Sequence, residues 1–177
     1  MKMQKLDSLE GLFISQLKDM YNAEHQIART LPKMADAASS PRLRDAFLEH
    51  LDQTHWQLEQ LEKVFDQLGL QPKGKKCEAM AGIIEEGSEF VDEDGDPDVK
   101  DAALICAAQK VEHYEMATYG CLCTWADLLG HQRVADILAD VLDQEKETDM
   151  MLTDLAIHLI NPQAVEVEVF EEEEIYG

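Results

Sequence analysis

Apolar side chains in this sequence recur at alternating steps of four and three residues over four long stretches, and this spacing most constrains the fold. Such steps place the side chains on one stripe of an α-helix. The stripe of the first stretch is Phe13, Leu17, Met20, Glu24, Ile27, Leu31 and Met34. That of the third is Leu104, Ala108, Val111, Glu115, Thr118, Leu122, Trp125 and Leu129. Four helices with one apolar stripe each pack as a bundle, so the sequence predicts an all-α four-helix bundle.

Proline and glycine mark the expected ends of the helices. Ser40-Pro41 and Asp96-Pro97 each place a capping side chain before a proline, which favours a helix start. Gly69 and Gly130 are expected to end helices, and Asn161-Pro162 should be another stop. We therefore expect long helices over about 7–38, 41–68, 97–129 and 132–160.

The connection between the second and third long helices is long enough to cross the bundle. It spans about 28 residues, 69–96, and contains an expected short helix at about 78–90. A crossover of this length makes the second and third long helices parallel. We expect one domain, a bundle over 1–160, and an acidic tail over 161–177 with a short strand at Val165–Val169. Pro32 should kink or loosen the first helix.

Each stripe is interrupted near its middle by a polar residue, and the interruptions lie at matched heights. The interrupting residues are Glu24, Thr54, Glu115 and Glu145. Glu115 lies 15 residues before Gly130 and Glu145 lies 15 residues after it (130 − 115 = 145 − 130). At 1.5 Å rise per residue, both are roughly 22 Å from that turn. Across the first hairpin, Glu24 is level with Thr54, so the polar positions form one layer.

Further polar residues lie one helical turn from this layer. Glu112 precedes Glu115 by three residues, Asp149 follows Glu145 by four, and His50 precedes Thr54 by four. Residues 35–53 and 126–144 share seven identities in nineteen positions at an offset of 91, and the same offset aligns Glu24 with Glu115. We interpret this as two related hairpins that each contribute half of one site.

Carboxylates crowded in one layer repel each other unless they are protonated, hydrated or paired with cations. No lysine or arginine shares the layer. Iron or manganese ions would neutralise it through oxygen ligands and an occasional imidazole. The sequence therefore suggests a di-metal carboxylate site formed by Glu24, His50, Glu112, Glu115, Glu145 and Asp149. In the alternative interpretation, these residues form a metal-free polar layer that sets helix register or lines a dimer interface.

The net charge excludes some classes of partner. With 15 basic and 37 acidic residues, the formal charge is −22, so nucleic acid and anionic membranes would be repelled. We find no apolar run long enough to span a membrane and no signal peptide. We therefore expect a cytoplasmic protein that binds neither nucleic acid nor membrane.

Several stretches resemble the YciF/YciE-type ferritin-like bacterial stress proteins. The resemblance is carried by LFISQLKDMYNAEHQIARTLPKMA, FLEHLDQTHWQLEQLE, KKCEAMAGIIEE, DAALICAAQKVEHYEMATYG and LDQEKETDMMLTDLA. It implies a ferritin-like bundle related to rubrerythrins, a homodimer, and a di-metal site. Iron is the metal expected first and manganese second, with Fe(II) oxidation or peroxide consumption as the reaction.

The second long helix departs from the pattern of this family. Where such proteins tend to have glutamate in a His-Leu-x-Glu-Thr stretch, this chain has Gln53. No histidine stands three or four residues after Gln53, although the rubrerythrin pattern has one. A bridging carboxylate is therefore expected to be absent from this helix, which favours the metal-free alternative.

Overall fold

The structure, a computed structural model, describes residues 7–165, and the part of the chain that it describes contains helices and no strand. The main helices are α1 (Leu9–Ala37), α2 (Pro41–Gln67), α3 (Glu78–Asp92), α4 (Pro97–Leu128) and α5 (Gln132–Leu155). The predicted all-α bundle is confirmed, and the predicted short helix is α3. Within 7–165, none of these helices is apolar enough over a sufficient length to cross a membrane.

Two helical hairpins, α1–α2 and α4–α5, form the bundle, and α2 and α4 each end where glycine was predicted to end a helix. Gly69 and Gly130 have φ values of 66° and 79°, which residues with a side chain rarely adopt. Leu70 N–H donates to the Phe65 carbonyl and Gly69 N–H to the Asp66 carbonyl. This bonding satisfies the last carbonyls of α2 and is the Schellman arrangement. The same pair of bonds follows α4 at Gly130.

The crossover makes α2 and α4 parallel, as expected. The backbone N–H groups of Ser39 and Ser40 donate to the Asp101 carboxylate at 2.8 and 2.7 Å, so the start of α2 lies beside the start of α4. Ser40 was predicted to cap α2 with its side chain, but its side chain accepts no capping bond. The carboxylate of Asp101 in α4 binds the turn between α1 and α2 instead. Helix α3 packs against α1 and α4.

The last helix does not stop at Asn161-Pro162, contrary to the prediction. One π-helical turn, Ala156–Ile160, follows α5, and helical backbone continues to residue 165. Asn161 N–H bonds to the Ala156 carbonyl, five residues back. This wider turn changes the carbonyl spacing before Pro162, where an ordinary α-turn would bring a carbonyl against the proline ring. Val165 is helical, and the rest of the expected strand and acidic tail lies outside the described residues.

The core follows the predicted stripes over most of their length and departs from them in the second half of α4. Every member of the α1 stripe is buried, and α1 continues through Pro32. In α4, Thr118 and Trp125 are only partly buried, whereas the next residues, Tyr119 and Ala126, are fully buried. A strict seven-residue repeat drifts around a straight helix by about 20° per repeat. The buried stripe of α4 therefore moves on by one residue in the second half of the helix.

Candidate metal centre

Four buried side chains from three helices converge in the middle of the bundle. His50 comes from α2, Glu112 and Glu115 from successive turns of α4, and Glu145 from α5. Each offers one ligand atom, and these four atoms all lie within 4.8 Å of one another. His50 is 2% exposed and the three glutamates are 0% exposed. The matched heights in the sequence thus correspond to a real convergence.

Glu24 of α1 lies beside this group of four. It is fully buried, and the Tyr119 hydroxyl donates a hydrogen bond to its Oε1 atom. Burial raises the pKa of Glu115 and Glu145, and the negative charge of Glu24 raises it further. We call Glu24, His50, Glu112, Glu115 and Glu145 the central cluster.

Asp149 lies at the edge of the central cluster rather than in it. Its side chain is 20% exposed, and Oδ1 lies 3.3 Å from Nε2 of His113, which is 68% exposed. Gln109 Nε2 also approaches this Oδ1 atom, at 3.5 Å. The charge of Asp149 still raises the pKa of Glu112. Asp149 thus faces a more solvated environment than the other predicted ligands.

The polar atoms of the central cluster have almost no partners. When the carboxyl groups are ionised, nine buried side-chain atoms of the cluster lack a hydrogen bond: one carboxylate oxygen of Glu24, both ring nitrogens of His50, and both oxygens of Glu112, Glu115 and Glu145. Protonated Glu115 and Glu145 hydrogen-bond to Glu24 and Glu112, respectively. His50 Nδ1 approaches Glu112 Oε1 to 3.3 Å, but the two atoms are not aligned for a hydrogen bond. Buried polar atoms without partners are rare in folded proteins, so this concentration requires an explanation.

No cationic side chain of the described residues is buried with the cluster. The buried polar side chains between residues 7 and 165 include neither lysine nor arginine. Burial therefore favours the uncharged forms. It raises the pKa of Glu24 to about 7, although the Tyr119 hydrogen bond opposes the shift, and it raises that of Glu112 to about 8. The pKa values of Glu115 and Glu145 lie well above the ordinary range for the same reason.

Burial acts on His50 in the opposite direction. It lowers the pKa of the imidazole to about 4, so His50 is neutral at physiological pH. A neutral imidazole and carboxylate oxygens are the donor set that iron and manganese accept. Four ionised glutamates carry a charge of −4, which two divalent ions balance. The residues present therefore fit metal ions of this class.

Helix α2 contributes amide and hydroxyl groups where a further carboxylate could have stood. Gln57 is fully buried, and its Nε2 donates to Gln144 Oε1 at 2.9 Å. Gln53 Oε1 accepts from Thr148 Oγ1 at 3.0 Å. The Thr54 hydroxyl donates to the His50 carbonyl at 2.9 Å. The central cluster therefore receives an imidazole but no carboxylate from α2.

Among residues 7–165, Tyr119 contacts the central cluster and was missed in the sequence. Its hydroxyl is fully buried and bonds Glu24 across the bundle. It follows Glu115 by four residues, so the two side chains lie on the same face of α4. That spacing was the available signal, and the strict seven-residue stripe selected Thr118 instead.

Comparisons with known proteins agree with the architecture. Residues 8–165 match the family described as Domain of unknown function (DUF892). Protein YciF of Escherichia coli (strain K12) is 46% identical over 160 residues, which cover 90% of this chain and 96% of that protein.

Two solved structures match most of the chain. The crystal structure of the E. coli stress protein YciF has a TM-score of 0.85 at 46% identity and covers 88% of this chain and 99% of that one. The structure of YcfI from Rhodopseudomonas palustris, for which a structural role has been suggested, has a TM-score of 0.84 at 39% identity. It covers 89% of this chain and 100% of that one. The chain is therefore a member of the DUF892 family and is similar to YciF over most of its length.

Proposed function

We propose that this chain is a stress-associated protein with a di-metal carboxylate centre that binds iron, or less readily manganese, and oxidises Fe(II) or consumes peroxide. The observation that supports this most is the set of unpartnered carboxylate oxygens on Glu112, Glu115 and Glu145. Bound cations would supply the missing partners and the missing positive charge together. The stress association rests on the similarity to E. coli YciF.

The proposed ligand roles follow from position in the bundle. Glu115 and Glu145 are 0% exposed and lie on facing helices, so we assign them to bridge two ions. Glu24, Glu112 and His50 would be terminal ligands, and Asp149 would become one only if its side chain turned away from His113. In the proposed reaction, one hydrogen peroxide molecule would take up two electrons from two bound Fe(II) ions, together with two protons, and give two water molecules.

The residues of the chain would contribute proton exchange and orientation. Carboxyl groups whose pKa is raised hold protons in the metal-free protein and release them when a cation binds. The Tyr119 hydroxyl fixes one oxygen of Glu24, which leaves its unpartnered Oε2 atom free to bind an ion. The apolar side chains around the central cluster restrict the access of water.

Elemental analysis and an Fe(II) oxidation assay test this proposal together. We expect iron in the purified protein and Fe(II) oxidation above the rate of the free ion. The Glu115→Ala plus Glu145→Ala variant should lose both. Glu147→Ala is the control because Glu147 is exposed on the same helix as Glu145. Unchanged iron content and activity in the double variant would contradict the proposal.

The competing function is that of a metal-free structural or interaction protein on the same bundle. It is favoured by the lack of a carboxylate from α2, where Gln53 and Gln57 are hydrogen-bonded to neighbouring side chains. In that case, the central cluster would be a protonated polar layer. Metal-replete and chelated protein would then have the same melting temperature.

The assembly and location remain part of the proposal. We expect a homodimer, which sedimentation would detect as a particle of twice the 20.0 kDa chain mass. We also expect a cytoplasmic protein without affinity for nucleic acid, because the formal charge of −22 repels phosphates.

A further inference from the structure

A cavity of about 90 Å³ lies under the crossover helix α3 and extends to His50. Its apolar walls include Ile27, Leu31, Met34, Ile83, Ile84 and Val111. The two charged residues that line it, Lys33 and Asp92, are exposed and therefore lie at its mouth. The cavity thus leads from a polar rim on the surface to a buried imidazole.

His50 is a buried polar side chain of this cavity, and its ring nitrogens are free to form hydrogen bonds with a ligand. The side chain is 2% exposed, and neither ring nitrogen has a hydrogen-bond partner. Nδ1 lies 3.3 Å from Glu112 Oε1, on the side of the central cluster. Nε2 also has no protein partner. A histidine that binds metal through one nitrogen almost always engages a polar group through the other.

We propose that the cavity is a binding site for a small uncharged molecule with an apolar body and one hydroxyl group, which hydrogen-bonds to His50. An apolar wall excludes ionic ligands, and the opposite charges of Lys33 and Asp92 give the mouth no net attraction for an anion or a cation. The half-buried hydroxyl groups of Thr30 and Ser88 also line the cavity, but they donate to the Gln26 and Ile84 carbonyls, so His50 is the buried polar side chain of the lining without a partner.

The volume limits the size of the ligand. An apolar cavity of about 150 Å³ admits benzene, with its six carbon atoms. In proportion, about 90 Å³ holds a body of about four non-hydrogen atoms. 2-Propanol has this size and one hydroxyl group, which serves either tautomer of His50. Isobutane has the same shape without the hydroxyl group.

Binding of these two probes to the chelated protein tests the proposal without reference to a metal. With ¹³C-labelled histidine, 2-propanol should shift the His50 ring resonance, and NOEs should connect its methyl groups to Ile83 and Ile84. 2-Propanol should bind His50→Leu at least tenfold more weakly than the original protein, whereas isobutane should bind both within threefold. Equal affinity of 2-propanol for the two proteins would overturn the role of His50.

Filling the cavity provides a second test that does not alter the central cluster. Ile84→Phe, from partly exposed α3, should abolish binding of both probes. Ile137→Phe is the matched control because Ile137 is a partly buried isoleucine of α5 outside the cavity lining. If Ile84→Phe binds either probe as tightly as Ile137→Phe does, the probe occupies another place and the proposed site is wrong.

Discussion

Without metal, the difference in stability between Glu115→Gln and the original protein should shift in favour of the variant as the pH rises. Glu115 is fully buried, and burial holds its pKa well above the ordinary value of 4.5. The carboxyl group therefore keeps its proton in the folded state at pH values at which it is ionised in the unfolded state. When a group has a higher pKa in the folded state than in the unfolded state, the free energy of unfolding of the protein falls as the pH rises above the unfolded pKa. Glutamine has nearly the same shape and does not titrate.

The magnitude follows from proton linkage. One group that stays protonated only in the folded state lowers the free energy of unfolding by about 1.4 kcal/mol for each pH unit. Over the 1.5 pH units between pH 6.5 and 8, the free energy of unfolding of Glu115→Gln should rise by at most about 2 kcal/mol relative to the original protein. For a chain of this size, that corresponds to a relative shift in melting temperature of about 4–8 °C. The contribution of His50 to the pH dependence of the free energy of unfolding is present in both proteins and cancels in the difference.

Urea unfolding in the presence of a chelator, followed by circular dichroism at several pH values, measures this difference. Glu147→Gln is the control, because Glu147 is exposed on α5 and lies outside the central cluster. A difference between Glu115→Gln and the original protein that is constant within about 0.5 kcal/mol from pH 6.5 to 8 would refute the reasoning. In that case, Glu115 would already be ionised in the folded protein.

Three further predictions concern neighbouring groups. Tyr119→Phe should cost about 1–3 kcal/mol in the free energy of unfolding, because it removes the hydrogen bond to buried Glu24; unchanged urea midpoints would contradict this. Asp101→Ala should cost about 2–4 kcal/mol, since two backbone N–H groups between α1 and α2 lose their acceptor; a calorimetric melting temperature within 2 °C of the original would count against it. Gln53→Glu should increase the metal bound per chain at saturation, because it supplies the carboxylate that α2 lacks; elemental analysis that finds the same or less metal would show that Gln53 lies outside the metal's reach.

The architecture could be predicted from the sequence because local signals agreed with one another. The α1 stripe, the glycines at 69 and 130, and the prolines at 41 and 97 each specify a helix or its end independently of the rest of the chain. The end of the last helix could not be predicted in this way. Asn161-Pro162 is a valid stop signal, but a π-helical turn before it changes which carbonyl lies opposite the proline.

The candidate site was predictable to the level of helix height but not of side-chain direction. Equal spacing from Gly130 correctly placed Glu115 and Glu145 at one depth, and the i, i+3 spacing placed Glu112 with them. The same arithmetic placed Asp149 in the layer, yet its side chain reaches the surface and contacts His113. Which way a side chain turns at the edge of a bundle depends on its neighbours in space. Helical periodicity carries no information about those neighbours.

The most direct test of a metal centre among the buried glutamates is an anomalous difference map from crystals of protein reconstituted with Fe(II) or Mn(II). We predict two peaks within the central cluster, one within coordination distance of His50, Glu112, Glu115 and Glu145 and a second adjoining Glu24. A map with no peak in the central cluster, or with density only at the surface beside His113 and Asp149, would contradict the proposed centre.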